Sequence, residues 1–112
     1  MSRPVTIATT SASGGASNWL PLDYFTAGFG VGLFVVAEGS AVRYTVQHTS
    51  YDVGRLGTTG LSAQAIYNHA TLVAATADAD GNYAFPPAAV RIVLVSGSAT
   101  AIARLTVIEA GP

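Results

Sequence analysis

The chain has 112 residues, half of them apolar and only 10% charged, with a net charge of −1, no cysteine and no lysine. That length holds one domain, whose core buries about two-thirds of the surface of the unfolded chain, and leaves no room for a second. The balance excludes nucleic acid or an anionic membrane surface held by charge alone, which needs a basic excess, and the absence of cysteine excludes disulfides, thiolate metal sites and a Cys nucleophile together.

An average soluble domain is about 25% charged. Five Arg and six acidic residues are too few to coat a free monomer generously, so the composition predicts a surface covered by copies of the chain or by another protein. Arg without Lys has two readings. The plainer is a GC-rich genome; the sharper is that planar guanidinium groups suit fixed hydrogen bonds at an interface. Met1-Ser2-Arg3-Pro4 is followed by no apolar h-region, which predicts no signal peptide. The longest apolar run, residues 28–37, falls well short of the roughly 20 residues of a membrane span. A protein made in the cytoplasm, soluble and prone to assembly, is the expectation.

Residues 4–9 read as a first strand, Val5 and Ile7 alternating with Thr6 and Ala8. The segment TSASGGAS that follows is small and polar, the composition of a flexible loop. Residues 1–17 are therefore an N-terminal arm or a first strand plus flexible loop, and residues 18–112 the folded domain. Trp19, Leu20, Leu22 and Phe25 bring the chain back to the core, while Pro21 keeps this stretch from being a central strand.

Phe29 to His48 carries the strongest signal. Phe29, Val31, Leu33, Val35 and Ala37 hold the odd positions, and after Gly39-Ser40 the even positions Val42, Tyr44, Val46 and His48 take over the mainly apolar role. A two-residue Gly39-Ser40 type II′ turn would make this a hairpin pairing Ala37 with Val42, Val35 with Tyr44 and Leu33 with Val46. Its other face, Phe34, Val36, Arg43 and Thr45, lacks the clean polar row of a sheet facing water. That face is expected to be covered by a second sheet or a neighbouring subunit. Gly28, Gly30 and Gly32 alternate strictly with no helix after them, so they are no nucleotide loop; they clear a strand face on which an aromatic such as Trp19 or another backbone can lie.

Residues 49–65 lose periodicity and read as a long exposed loop. Residues 71–74 read as a short strand, Asp78 to Asn82 as a turn, and Tyr83-Ala84-Phe85 as a short strand ended by Pro86-Pro87. In the last third, a Gly97-Ser98 turn would pair Leu94 with Ala101, Ile92 with Ala103 and Val90 with Leu105. It would also set Arg91 opposite Arg104, which predicts an acidic group between them. Six to eight short strands without a helix predict an all-β fold, a single antiparallel β-sandwich or jelly-roll-like domain.

No catalytic set emerges. Asp78-x-Asp80-Gly81-Asn82 has the outline of a calcium loop but lacks the closing Glu and has its Gly out of place, so no metal is assigned and a hairpin turn accounts for it. His48 and His69 have no third ligand and no nucleophile placed beside them; both are read as structural histidines. No cofactor and no enzymatic activity are predicted. The candidate protein-interface residues are Arg43, Arg55, Arg91 and Arg104, for their fixed planar donors, and Tyr51 and Tyr67, as amphipathic anchors.

Tyr44-Thr45-Val46-Gln47-His48-Thr49, Asn68-His69, Ala79-Asp80-Gly81-Asn82-Tyr83-Ala84-Phe85-Pro86 and Ala89-Val90-Arg91, with Pro21-Leu22-Asp23 ahead of a glycine-rich strand, resemble a family of small virion proteins of tailed double-stranded DNA bacteriophages. The resemblance runs from about Pro21 to the C-terminus and rests on strand-and-turn signatures; Ala70 stands where Pro is expected after Asn68-His69. It implies a structural virion protein, foremost a capsid decoration or cement protein on the outer capsid surface, with the major capsid protein and further copies of itself as partners and neither nucleic acid nor membrane. A tail or head-fibre adaptor and a glycan-binding module using Tyr51 and Tyr67 are the rival readings.

Overall fold

A computed structural model describes residues 5–10, 15–22, 30–39, 41–51, 66–83, 87–98 and 100–110. The described residues form eight strands and no helix: β1 (Val5–Thr10), β2 (Leu20–Pro21), β3 (Gly30–Glu38), β4 (Arg43–Thr49), β5 (Ile66–Asn68), β6 (Ala79–Tyr83), β7 (Ala89–Ser96) and β8 (Ile102–Ala110). They build two four-stranded sheets, ordered β1-β8-β3-β6 and β2-β7-β4-β5, in which every pairing is antiparallel. The chain is all-β, as its alternating pattern requires. The short β2, which ends on Pro21, lies at the edge of its sheet, where a missing N–H costs no ladder bond.

Alternation decides which side chains meet. Val31, Leu33 and Val35 of β3, Tyr44 and Val46 of β4, Val90, Ile92 and Leu94 of β7, and Ala103, Leu105 and Val107 of β8 are all buried in one cluster. Fully burying a side chain of this size stabilises by roughly 1.5–3 kcal/mol, so this cluster is the main cohesive element between the sheets. Tyr44 is fully buried and its hydroxyl donates to the Ala77 carbonyl at 2.6 Å, which removes the cost of an unpartnered polar atom in the core.

The expected hairpins do not form. β3 pairs with β8 over nine residues, from Gly30↔Ala110 to Glu38↔Ile102, whereas β4 pairs with β7 in the other sheet. Val35 and Tyr44 therefore belong to different sheets of one core and are not ladder neighbours, and the same holds for Ile92 and Ala103. Alternation assigns the inward face correctly in either case. What differs is the connection: both Gly39 (φ 91°) and Ala41 (φ 57°) have positive φ, whereas a two-residue II′ loop uses positive φ at its first position alone. The chain crosses from one sheet to the other at 39–42 and again at 97–101. A Cβ on Gly39 would lie 2.7 Å from the Thr100 carbonyl oxygen, so the two crossovers pack backbone against backbone.

Three further expectations change with this topology. Arg91 and Arg104 are not opposite each other: Arg91 is in register with Gln47, and Arg104 with Ala8 and Val36. The Asp80-Gly81-Asn82 stretch is no turn but part of β6, paired with β3 from Val31↔Tyr83 to Val35↔Ala79; the short strand expected to begin at Tyr83 has its other residues outside the described ones. Residues 71–74 form bends and no strand. They are tied in by Val46 N–H donating to the Leu72 carbonyl and by a single bridge between Tyr44 and Ala75. Over Gly32 lies the ring of Phe34, 3.3 Å from where a Cβ would be, and not Trp19, which belongs to the other sheet's surface.

Candidate functional site

Strands β5 and β6 lie at the edges of their two sheets, on the same side of the molecule. A groove of about 530 Å³ lies there, lined by residues of β4, β5 and β6 and by the 69–71 bend. Its floor is a set of rings. His48 faces inward from β4, and its ring stacks on Tyr67 (centroids 5.7 Å apart) while meeting Tyr83 edge-on at 4.9 Å. His69 meets the same Tyr83 edge-on at 5.0 Å. Such edge-to-face and offset contacts match the positive rim of one ring to the negative face of the next.

The two imidazoles are held differently. His69 is buried, and its Nδ1 accepts the backbone N–H groups of Thr71 (3.1 Å) and Leu72 (3.0 Å). Nδ1 then carries no proton, and Nε2–H donates to the Asn82 carbonyl at 3.0 Å. This ring closes a bend in its own chain and caps a carbonyl of edge strand β6. Gly81 makes room for it: a Cβ there would lie 3.1 Å from His69 Cε1 and 3.0 Å from Leu72 Cδ1. Among the described residues His48 has one bond, Nδ1 to the Tyr83 hydroxyl at 2.7 Å. Burial holds the Tyr83 hydroxyl protonated well beyond the ordinary tyrosine range. Among the described residues Tyr83 has no other acceptor, so its hydroxyl donates to His48 Nδ1 and leaves the His48 Nε2–H unspent. Burial, and then the neighbouring His69, push the pKa of His48 down, which favours this neutral form.

The candidate interface residues do not converge. Arg91 donates from Nε to Gln47 Oε1 at 2.9 Å, and its guanidinium lies 4.5 Å from the centroid of the Trp19 ring. Gln47 in turn donates to Asn68 Oδ1 at 3.0 Å, so a polar row crosses the outer face of the β2-β7-β4-β5 sheet. Arg104 lies on the outer face of the other sheet and forms an ion pair with Glu38. An acidic partner for Arg104 is thus present, although Arg91 has no share in it. Arg43 is exposed at the start of β4, Tyr51 is half-buried just after it, and Tyr67 is exposed beside the groove. Arg55 lies outside the described residues. Beside Arg104, the outer face of the β1-β8-β3-β6 sheet presents Phe34 and Val36, each 44% exposed; neither the second sheet nor any other described segment covers them.

Asn68, Asp80, Asn82 and Tyr83, all groove-lining, are not legible as a site from the linear chain. The signal for them is Gly81 flanked by two polar residues: as a strand rather than a turn, that stretch needs a reason for its glycine, and the reason is the His69 ring. Among the described residues no cluster of three metal-ligating side chains occurs, and no helix is long and apolar enough to cross a membrane. Compared with protein-family models, curated proteins and solved structures, the chain matches none.

Proposed function

We propose that the chain is a structural protein of a tailed double-stranded DNA bacteriophage particle, and within it a capsid decoration protein that binds the outer capsid surface in many copies. The observation that carries this reading is the outward face of the β1-β8-β3-β6 sheet. Phe34 and Val36 stand half exposed beside Arg104, which is ion-paired with Glu38. Water-facing antiparallel sheets carry polar rows; here two large apolar side chains interrupt such a row, in register with Asp80, Thr106 and Arg104, and exposed apolar side chains rimmed by polar ones suit burial against another protein. The low charge of the whole chain supports the same reading, as does the resemblance of its sequence motifs to those of small phage virion proteins.

The strand order further supports reading the two sheets as a jelly-roll sandwich: β1-β8-β3-β6 over β2-β7-β4-β5 is the order two nested Greek keys produce, with both mid-chain reversals crossing between sheets. Such a domain presents two broad outer faces, one for the shell and one for the exterior. The test is stoichiometry in purified virions that carry this chain. A gel band in amounts comparable to the major capsid protein, lost together with resistance of the head to mild heating when the gene is deleted, is expected. A copy number near that of tail proteins would overturn the decoration role in favour of a tail or head-fibre adaptor.

A further inference from the structure

We propose that His69, together with His48 and Tyr83, forms an acid-sensitive latch that ties the 69–72 bend to edge strand β6 and lets both go when its imidazoles take up protons. The three rings converge. Tyr83 meets both imidazoles edge-on, and its hydroxyl lies 2.7 Å from His48 Nδ1. They also join the two sheets, because His48 belongs to β4 and Tyr83 to β6, the edge strand of the other sheet. His69 adds a second tie to that edge through Nε2–H and the Asn82 carbonyl.

The bonds at both Nδ1 atoms need a neutral imidazole. His69 Nδ1 accepts the N–H groups of Thr71 and Leu72 through its lone pair; a proton there sets a donor against two donors, and both bonds are lost. A proton on His48 Nδ1 likewise leaves the Tyr83 hydroxyl hydrogen without an acceptor among the described residues. Nothing nearby offsets the charge. The titratable groups packed on the pair are Tyr83 from β6 and, on His48, Tyr67 from β5, which carry no charge in acid. Asp80 is in register with Phe34 on the outer face of its sheet, and Asp78 accepts the Ala37 N–H. The bend is the part that gives: buried Leu72 accepts the Val46 N–H and covers Gly81 of β6, so losing the His69 bonds uncovers an edge strand. Strands β3, β7 and β8 contain no histidine, so their ladders hold while the latch opens.

The test follows amide hydrogen exchange by NMR on the full purified chain from about pH 7.5 down to about pH 5, across the ordinary histidine range, with rates corrected for intrinsic pH dependence. Protection of the Thr71 and Leu72 amides is expected to fall at least about tenfold more than that of the β3 and β8 amides, the loss of two backbone hydrogen bonds. In His69→Gln, which cannot titrate, that selective fall should disappear. Imidazole nitrogen shifts of the parent give a second readout that needs no variant: His69 should be the Nε2–H form at neutral pH, and its titration should share a midpoint with the loss of protection. Protection of Thr71 and Leu72 that is unchanged through the His69 titration, exchange that rises equally in every strand, an Nδ1–H form of His69, or the same selective fall in His69→Gln would each overturn the proposal. None of these outcomes bears on virion copy number, so the assembly reading stands or falls separately.

Discussion

Gly39 and Gly81 each bring backbone hard against another segment, and they do so for different ends. At the crossovers, Gly39 at positive φ faces the Thr100 carbonyl oxygen and the Ala101 Cα at 2.7 and 2.9 Å from where a Cβ would be; its three nearest atoms are all backbone. At the open edge, Gly81 faces the His69 imidazole and the Leu72 methyl; every neighbour is side chain. The first contact joins the two turns that carry the chain between sheets and holds no titratable group. The second seats the buried His69 ring, which meets Tyr83 edge-on in the groove. Close packing at the crossovers serves the fold alone, whereas at the β5–β6 edge it also builds a surface with chemistry.

The sharpest way to break this contrast is to add one methyl group at each glycine. Gly39→Ala must place an L-residue in left-handed conformation, costing about 1–2 kcal/mol, and push a Cβ into backbone that cannot rotate away. A total loss of about 4 kcal/mol in unfolding free energy is expected from denaturant melts, with no rescue by trimming any neighbouring side chain. A loss under about 1 kcal/mol would mean that the crossovers do not pack as described.

His69→Ala comes next. It leaves the Thr71 and Leu72 N–H groups and the Asn82 carbonyl without their partner and empties a buried ring, a cost of about 3 kcal/mol. Gly81→Ala should cost about 2 kcal/mol in the parent, because a pinned imidazole cannot give way. In the His69→Ala background it should cost at least about 1 kcal/mol less, since the Cβ then enters vacated space. Additivity of the two losses would show that Gly81 is required for something other than the ring.

The sequence alone reveals the faces of the strands but not their neighbours. Leu33, Val35, Tyr44, Val46, Ile92 and Leu105 all point inward as their alternation predicts, because period two follows from the pleat whatever lies next to the strand. Whether the chain reverses within a sheet or crosses to the other is decided by the long-range fit of β3 on β8 and of β4 on β7, which no local window contains. The Gly39-Ser40 and Gly97-Ser98 pairs serve either geometry. Asp80-Gly81-Asn82 misleads for a related reason: turn-forming residues sit in an edge strand, where their low strand preference is overridden by pairing with β3 and by the His69 ring. Of the candidate residues, Tyr67 reaches the groove only through its stack on His48, and Arg104 is parted from Arg43 and Arg91 because β8 went to the other sheet.

The smallest expected effect concerns protons. His48 titrates below its ordinary range in the folded protein, so between the two values the unfolded chain binds more protons than the folded one, and stability rises with pH. The contribution is complete above the ordinary histidine value of about 6.5 and is lost as pH falls through the lowered folded value. Unfolding free energies of the parent should therefore decline on acidification from neutral pH by more than those of His48→Gln, which keeps a polar side chain toward Tyr83 but cannot titrate. Gly39→Ala, which leaves His48 and its ring partners untouched, should decline in parallel with the parent. Identical pH slopes in the parent and His48→Gln would show that burial among Tyr67, Tyr83 and His69 does not bias the charge of this ring.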